Sequence, residues 1–179
     1  MTLVSTGLRI TLIVIAAIVG VWLLLLLVNL IFVASFSSIF KKHKRAVPVV
    51  LYTKYESLNN LVAIMKQAGI KVDNRLVAIL GDISSNDFAE PGSQQFETAK
   101  NTLSYLRDEL MFIANQHPEL KDDFEFSQVK KNINDCDIQY RSTVAMYNAD
   151  VLGYNYWISF LPCRFVFLIF RVKPKEIIS

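Results

Sequence analysis

ITLIVIAAIVGVWLLLLLVNLIFVASFSSIFKKHKR, residues 10–45, decides how the rest of the chain is read. No charge stands between Ile10 and Phe40, and the most polar side chain there is Asn29. A bilayer core is crossed by about 20 apolar helical residues, and this run exceeds that length. In lipid a bare peptide group has no water to bond, so the run is predicted as a helix. The basic cluster Lys41-Lys42-His43-Lys44-Arg45 follows at once. A secretory signal would have an apolar core of about 7–15 residues ending at a small-residue cleavage site. Val33-Ala34-Ser35 imitates such a site, but the apolar run before it is too long. An uncleaved anchor is therefore expected.

Flanking charge sets orientation. Arg9 and the α-amino group precede the run, whereas Lys41, Lys42, Lys44 and Arg45 follow it. The expected topology is a single pass through the inner (cytoplasmic) membrane, with the N-terminus outside and the large domain cytoplasmic. The basic collar reads first as a topology signal, and it also suits anionic headgroups. This divides the chain into an anchor with its collar, 1–45, and a cytoplasmic domain, 46–179, long enough for a core of its own.

Net charge is +3, much of it in the collar, so no nucleic-acid footprint stands out. Cys136 and Cys163 form no spacing motif, and free thiols suit a reducing compartment. After Pro48, apolar residues recur at Leu58, Leu61, Met65, Ala68, Val72, Leu76, Ile79 and Ile83, predicting one helix with one buried face. Gly81 and Ser84-Ser85-Asn86-Asp87 end it, and Glu90-Pro91-Gly92-Ser93 is a turn. A second stripe runs Phe96, Ala99, Leu103, Leu106, Leu110, Ile113 and stops at His117-Pro118. The third and longest helix runs from near Asp122, Asp123 and Glu125. Its stripe is Phe126, Val129, Ile133, Cys136, Tyr140, Thr143 or Val144, Tyr147, Val151, Tyr154, Ile158, Leu161. Near-heptad spacing implies small crossing angles, with Gly153 a weak point. The expected fold is all-α: a transmembrane helix, then an up-down-up bundle of long antiparallel helices.

Leu161-Pro162 breaks the third helix. The tail Cys163-Arg164-Phe165-Val166-Phe167-Leu168-Ile169-Phe170 is apolar but too short to span. In an up-down-up bundle it begins far from the anchor, so folding back onto the bundle is the favoured expectation. Membrane contact, with Tyr156 and Trp157 at headgroup level, and contact with a second subunit are the others.

The segment His117-Pro118-Glu119-Leu120-Lys121 resembles the tyrosine-proline-acidic-leucine motif of the LemA family. Phe126, Val129, Ile133 and Asp137 follow where that family has Phe, Leu, Leu and Glu. Tyr147-Asn148, Val151 and Tyr154-Asn155 look like its paired Tyr-Asn motif. Leu161-Pro162 matches its Phe-Pro, and Phe170-Arg171-Val172-Lys173-Pro174 resembles its closing Phe-Gly-Phe-Lys-Pro. Asn60-Leu61-Val62, Ala68 and Val72-Asp73 match its first helix more weakly. Two departures stand out: Ala78-Ile79 replaces an Arg-Arg pair, and Thr143-Val144-Ala145-Met146 replaces a basic run. The resemblance implies a bacterial, membrane-anchored helical bundle with no established enzymatic activity.

The residues themselves offer little chemistry. His43 and His117 lack metal-ligand spacing with cysteine or carboxylate, and no nucleophile elbow or phosphate loop occurs. No catalytic, cofactor or metal residue is expected. Cys136 reads as core, and Cys163 as a packed thiol or an acylation site. Tyr140, Tyr147 and Tyr154 recur every seven residues, either as aromatic core or as a ladder of hydroxyls. Asn148 and Asn155, on a neighbouring face, suggest a lock between helices. Three functions stand: a non-catalytic scaffold at the membrane face, a membrane-shaping protein acting through the basic collar and apolar tail, and a hydrolase with an unrecognised site. The partners expected are the lipid bilayer, an unidentified protein and a second copy of the chain. Proteins similar to the LemA family that act in magnetosome formation keep the membrane-shaping class in view.

Overall fold

The apolar run and the helix after it are one element, α1 (Thr2–Gln67). The computed structural model describes residues 2–120, 122–160, 164–169 and 172–178. Lys121, Leu161, Pro162, Cys163, Phe170 and Arg171 lie outside the described residues, as do the side chains of Phe165, Val166 and Ile169. The expected break at Leu161-Pro162, the thiol of Cys163 and the start of the closing motif therefore fall outside them. The described residues are helical or irregular: α1, α2 (Asn74–Asp82), α3 (Gln94–Asn115), α4 (Phe124–Ser159), α5 (Arg164–Ile169) and two 3-10 turns, Ser85–Phe88 and Pro118–Leu120.

The helix expected to start after Pro48 is continuous with the apolar run, with Pro48 inside it. An internal proline costs about 3 kcal/mol through a lost hydrogen bond and a clash. Burial of Val47, Val50 and Leu51 beside it offsets this, at about 1.5–3 kcal/mol for each fully buried side chain. The same stripe was expected to run unbroken to Ile83, but it breaks after Gln67. Gly69 takes φ +73°, its N–H donates to Lys66 C=O, and the N–H of Ile70 donates to Met65 C=O. This pair of bonds is a Schellman cap, which needs the left-handed residue that glycine tolerates. Ala68 and Ile79, expected in the core, are exposed, while Ile70, Leu76 and Leu80 are buried.

That break changes the topology. The chain returns through α2, capped by the carboxylate of Asp73 accepting from the N–H of Arg75. It continues through Ser85–Phe88, whose Phe88 ring lies 6.4 Å from Tyr55, well back from the end of α1. The up-down-up order is thus carried by α1, this return and α3, and α4 comes down again.

Two units divide the chain: 1–40 with 149–177, and 41–148 with 178–179. In the second, the end of α1 (Asn60, Gln67) borders the start of α4 (Phe124, Gln128), and Lys54 meets Asp137, so these helices are antiparallel. Its core takes Leu58, Leu61 and Met65 from α1, Phe96, Leu103, Leu106 and Leu110 from α3, and Phe126, Val129 and Ile133 from α4. Ser93 caps α3 through its hydroxyl, which accepts from the N–H of Phe96, and the turn after α3 buries Leu120. The Asn148 side chain accepts from the Ile178 N–H at 2.9 Å and donates to its C=O at 2.8 Å.

The first unit joins the apolar start of α1 to the end of α4. Asn29 is only 1% exposed, and its Nδ2 donates to Trp157 C=O at 3.1 Å. That carbonyl lies in the last turn of α4, where carbonyls lack the usual helical partners. Phe32 stacks on Trp157 with ring centroids 4.5 Å apart and 3° between planes. A Cβ on Gly153 would lie 2.7 Å from the Phe36 ring, so this glycine, a weak point for the helix, is what admits the ring. The sequence reading had the tail start far from the anchor. Instead α4 ends beside it, because the added return makes α4 the descending helix. The expected folding back of residues 163–170 lies largely outside the described residues, within which Phe167 is buried; the chain beyond it is held on α4, where Asn155 pairs with both the N–H and the C=O of Lys175, at 2.8 and 2.9 Å. The asparagines expected to bridge helices therefore hold the extended tail instead.

Leu106→Ala is expected to lower stability by about 2–5 kcal/mol and Leu106→Asp to abolish the cooperative transition, read by circular dichroism melts in detergent. Asn148→Ala is expected to remove two hydrogen bonds, about 2 kcal/mol. Limited proteolysis should then cleave the C-terminus faster while α3 stays protected.

Candidate functional site

The described polar groups converge most closely at Asp137. Its Oδ1 accepts from Lys54 Nζ at 2.7 Å, and its Oδ2 accepts from Arg107 Nη1. Arg107 turns its Nε and Nη2 to Asp108 Oδ1, at 2.9 and 2.6 Å. One carboxylate thus ties α1, α3 and α4 together. Lys54 is 3% exposed, which a lysine tolerates only when paired. Burial opposes ionisation of Asp137, yet hydrogen bonds from Lys54 and Arg107 prevail and hold its carboxyl below the usual range. Asp108 and then Asp137 raise Arg107 above the usual guanidinium value. Two cations face two carboxylates, so the cluster is charge-balanced, with each oxygen of Asp137 occupied. It is chemically a clamp.

Sequence reasoning noted Asp137 only as a family position and missed its partners. The signal was present: Lys54 falls between Leu51 and Leu58 on the apolar stripe, at steps of three and four. A charge in that register is either expelled or paired.

The tyrosines divide. Tyr147 and Tyr154 are buried, as aromatic core would be. Tyr140 is half-buried, and burial, with a smaller effect of Glu97, pushes it up to about 12. Its hydroxyl has no hydrogen-bond partner among the described residues, nor has Glu97 Oε1, whose other oxygen pairs with Lys100. Cys136 is buried, and burial raises its thiol pKa, the chemistry of an inert core thiol. His117 Nδ1 lies 2.8 Å from Glu119 Oε1 at the turn after α3. Among the described residues no group of three His, Cys, Asp or Glu side chains could hold a metal.

Two open grooves flank the second unit's core. One, of about 480 Å³, is lined by α2, the Ser85–Phe88 turn and α3, including Asp82, Asp87, Gln94 and Thr98. The other, of about 370 Å³, lies between α1 and α4 over the exposed ring of Phe124. Neither lining contains a histidine, cysteine or lysine, so neither pairs a nucleophile with a base of that kind.

Asp137→Asn is expected to cost about 3–5 kcal/mol, since it strands buried Lys54. The sign with pH follows from the lowered carboxyl. Its contribution is full above the unfolded value near about 4 and is lost as pH falls through the lower folded value. Melts across acid pH should show this loss in the wild-type chain and a flatter profile in Asp137→Asn.

A family model described as the LemA family matches residues 44–179. No curated protein and no solved structure matches the chain. The match takes in the clamp, both Tyr-Asn pairs and the tail they hold, and a model covering this much of the chain shows its membership: the protein belongs to the LemA family.

Proposed function

We propose that this protein is a non-catalytic interaction module held at the cytoplasmic face of a bacterial inner membrane by α1. The observation that carries the reading is the start of α1. Its most apolar eighteen-residue window has a mean hydropathy of 3.1 and no buried residue. A ring of exposed Leu, Ile and Val of this length belongs in lipid, because apolar patches beyond a few hundred Å² are rare on surfaces facing water. The charge-balanced clamp, with no nucleophile beside it, supports a structural role for the helical domain. Its grooves supply surface for a protein partner. The excess of Lys and Arg after the apolar run supports a cytoplasmic domain.

Membrane shaping is the second reading, favoured by exposed Phe160, Leu168 and Arg164 in the unit that contains the anchor. Vesicles that tubulate or shrink on adding the full chain would support it over the interaction module.

Topology is tested with a thiol at an exposed position, because Cys136 is buried and would report poorly. Phe112→Cys in a Cys136→Ala, Cys163→Ala background is expected to resist a membrane-impermeant maleimide in sealed cells and to react after permeabilisation. Labelling in sealed cells would reverse the orientation. Release of the full chain by alkaline carbonate would overturn the anchor.

A further inference from the structure

The unit containing the anchor carries a feature that anchoring does not use. A groove of about 490 Å³ is lined by Ile158, Phe167, Leu168 and Pro174 together with the basic residues Arg164 and Lys173. Its described lining contains no carboxylate, and neither cation has an ion-pair partner among the described residues. Both cations are exposed, while Ile158 and Phe167 are buried. The tail closes one side, where the N–H of Val172 donates to Phe167 C=O at 3.0 Å.

The anchor in the same unit indicates what lies nearby. Ile10–Val28, nineteen residues, rises about 28 Å, close to the roughly 30 Å hydrocarbon thickness of a bilayer. Arg9 bounds this segment on one side. Asn29 bounds it on the other, and there Trp157 stacks on Phe32 with Tyr156 and Phe160 around it. Such a cluster of amphipathic rings is the chemistry of the headgroup zone. Ile158, which lines the groove, follows Trp157 directly in α4, so the groove lies within a turn of the aromatic cluster along that helix.

We propose that this groove holds an anionic phospholipid, with Arg164 and Lys173 on its phosphate and Ile158, Phe167 and Leu168 against its acyl chain. The proposal rests on the anchored reading above. A small hydrophilic anion would gain from the two cations but nothing from the apolar walls. A zwitterionic lipid would gain from the walls but would bring its own cation to the two basic groups. An anionic lipid satisfies both, and the α1 segment supplies it from the bilayer. The hydrocarbon boundary then falls near Asn29, shorter than the whole uncharged run to Phe40.

The full chain is reconstituted into nanodiscs of equal phosphatidylcholine and phosphatidylglycerol, and the lipid that co-purifies after mild detergent is counted by mass spectrometry. Enrichment of phosphatidylglycerol is expected, and Arg164→Gln with Lys173→Gln should reduce it about twenty-five-fold, each basic contact being worth roughly fivefold. Circular dichroism should show unchanged helix content, and Arg164→Lys should restore most of the enrichment. Neutralising Lys41, Lys42, Lys44 and Arg45 should leave it. The proposal is overturned if the groove variant keeps the enrichment, if the collar variant alone removes it, or if glycerol phosphate displaces the lipid at equal concentration. Insertion without selectivity sinks this proposal only, whereas failure to insert sinks the anchored reading with it.

Discussion

A single carboxylate fixes how the helices of the second unit meet. Apolar stripes at steps of three and four are nearly periodic, so two helices sliding past each other by one turn find similar hydrophobic partners. Charges do not repeat that way. Lys54 from α1 and Arg107 from α3 both converge on Asp137 of α4, and any slip would strand a buried ammonium at a cost of several kcal/mol. The core of Leu58, Leu106 and Ile133 provides most of the burial, and the clamp selects one alignment from those the core would accept.

The first unit uses polarity in the same sparing way. Asn29 is the one strongly polar side chain of the apolar run, and it is spent on the last turn of α4, where it gives the Trp157 carbonyl a second donor beside the Phe160 N–H. Gly153 removes the side chain that would have met the Phe36 ring. Each departure from an ideal apolar or helix-forming residue marks a contact, so the irregularities of the sequence trace the packing better than its regular parts do.

Much of this was legible in the sequence. The long apolar helix, the stripe of α3, the turn at His117-Pro118 and the heptad face of α4 all follow from spacing, because burial of one face is a local, periodic demand. The break at Gly69 was missed because the stripe on either side keeps its steps of three and four. Only the left-handed cap, a backbone matter, reveals that the two halves belong to different helices. That omission propagated, since it set the direction of α3 and with it the end of α4. The clamp escaped for a different reason. Lys54, Arg107 and Asp137 lie far apart in the chain, and a stripe shows that a charge is out of place without naming its partner.

The tail pinned by Asn148 and Asn155 works as a ruler. Seven residues of helix separate the two amides, a rise of about 10.5 Å. Lys175 and Ile178 are three residues apart in the irregular C-terminal segment, and three residues reach about 10 Å when extended. Because each amide grips only backbone N–H and C=O, the two grips depend on the number of residues between the pins. The two grips are therefore indifferent to substitution at the exposed Ile177 but intolerant of one inserted or deleted residue between the pins. A length, more than a composition, is what that end of the chain encodes.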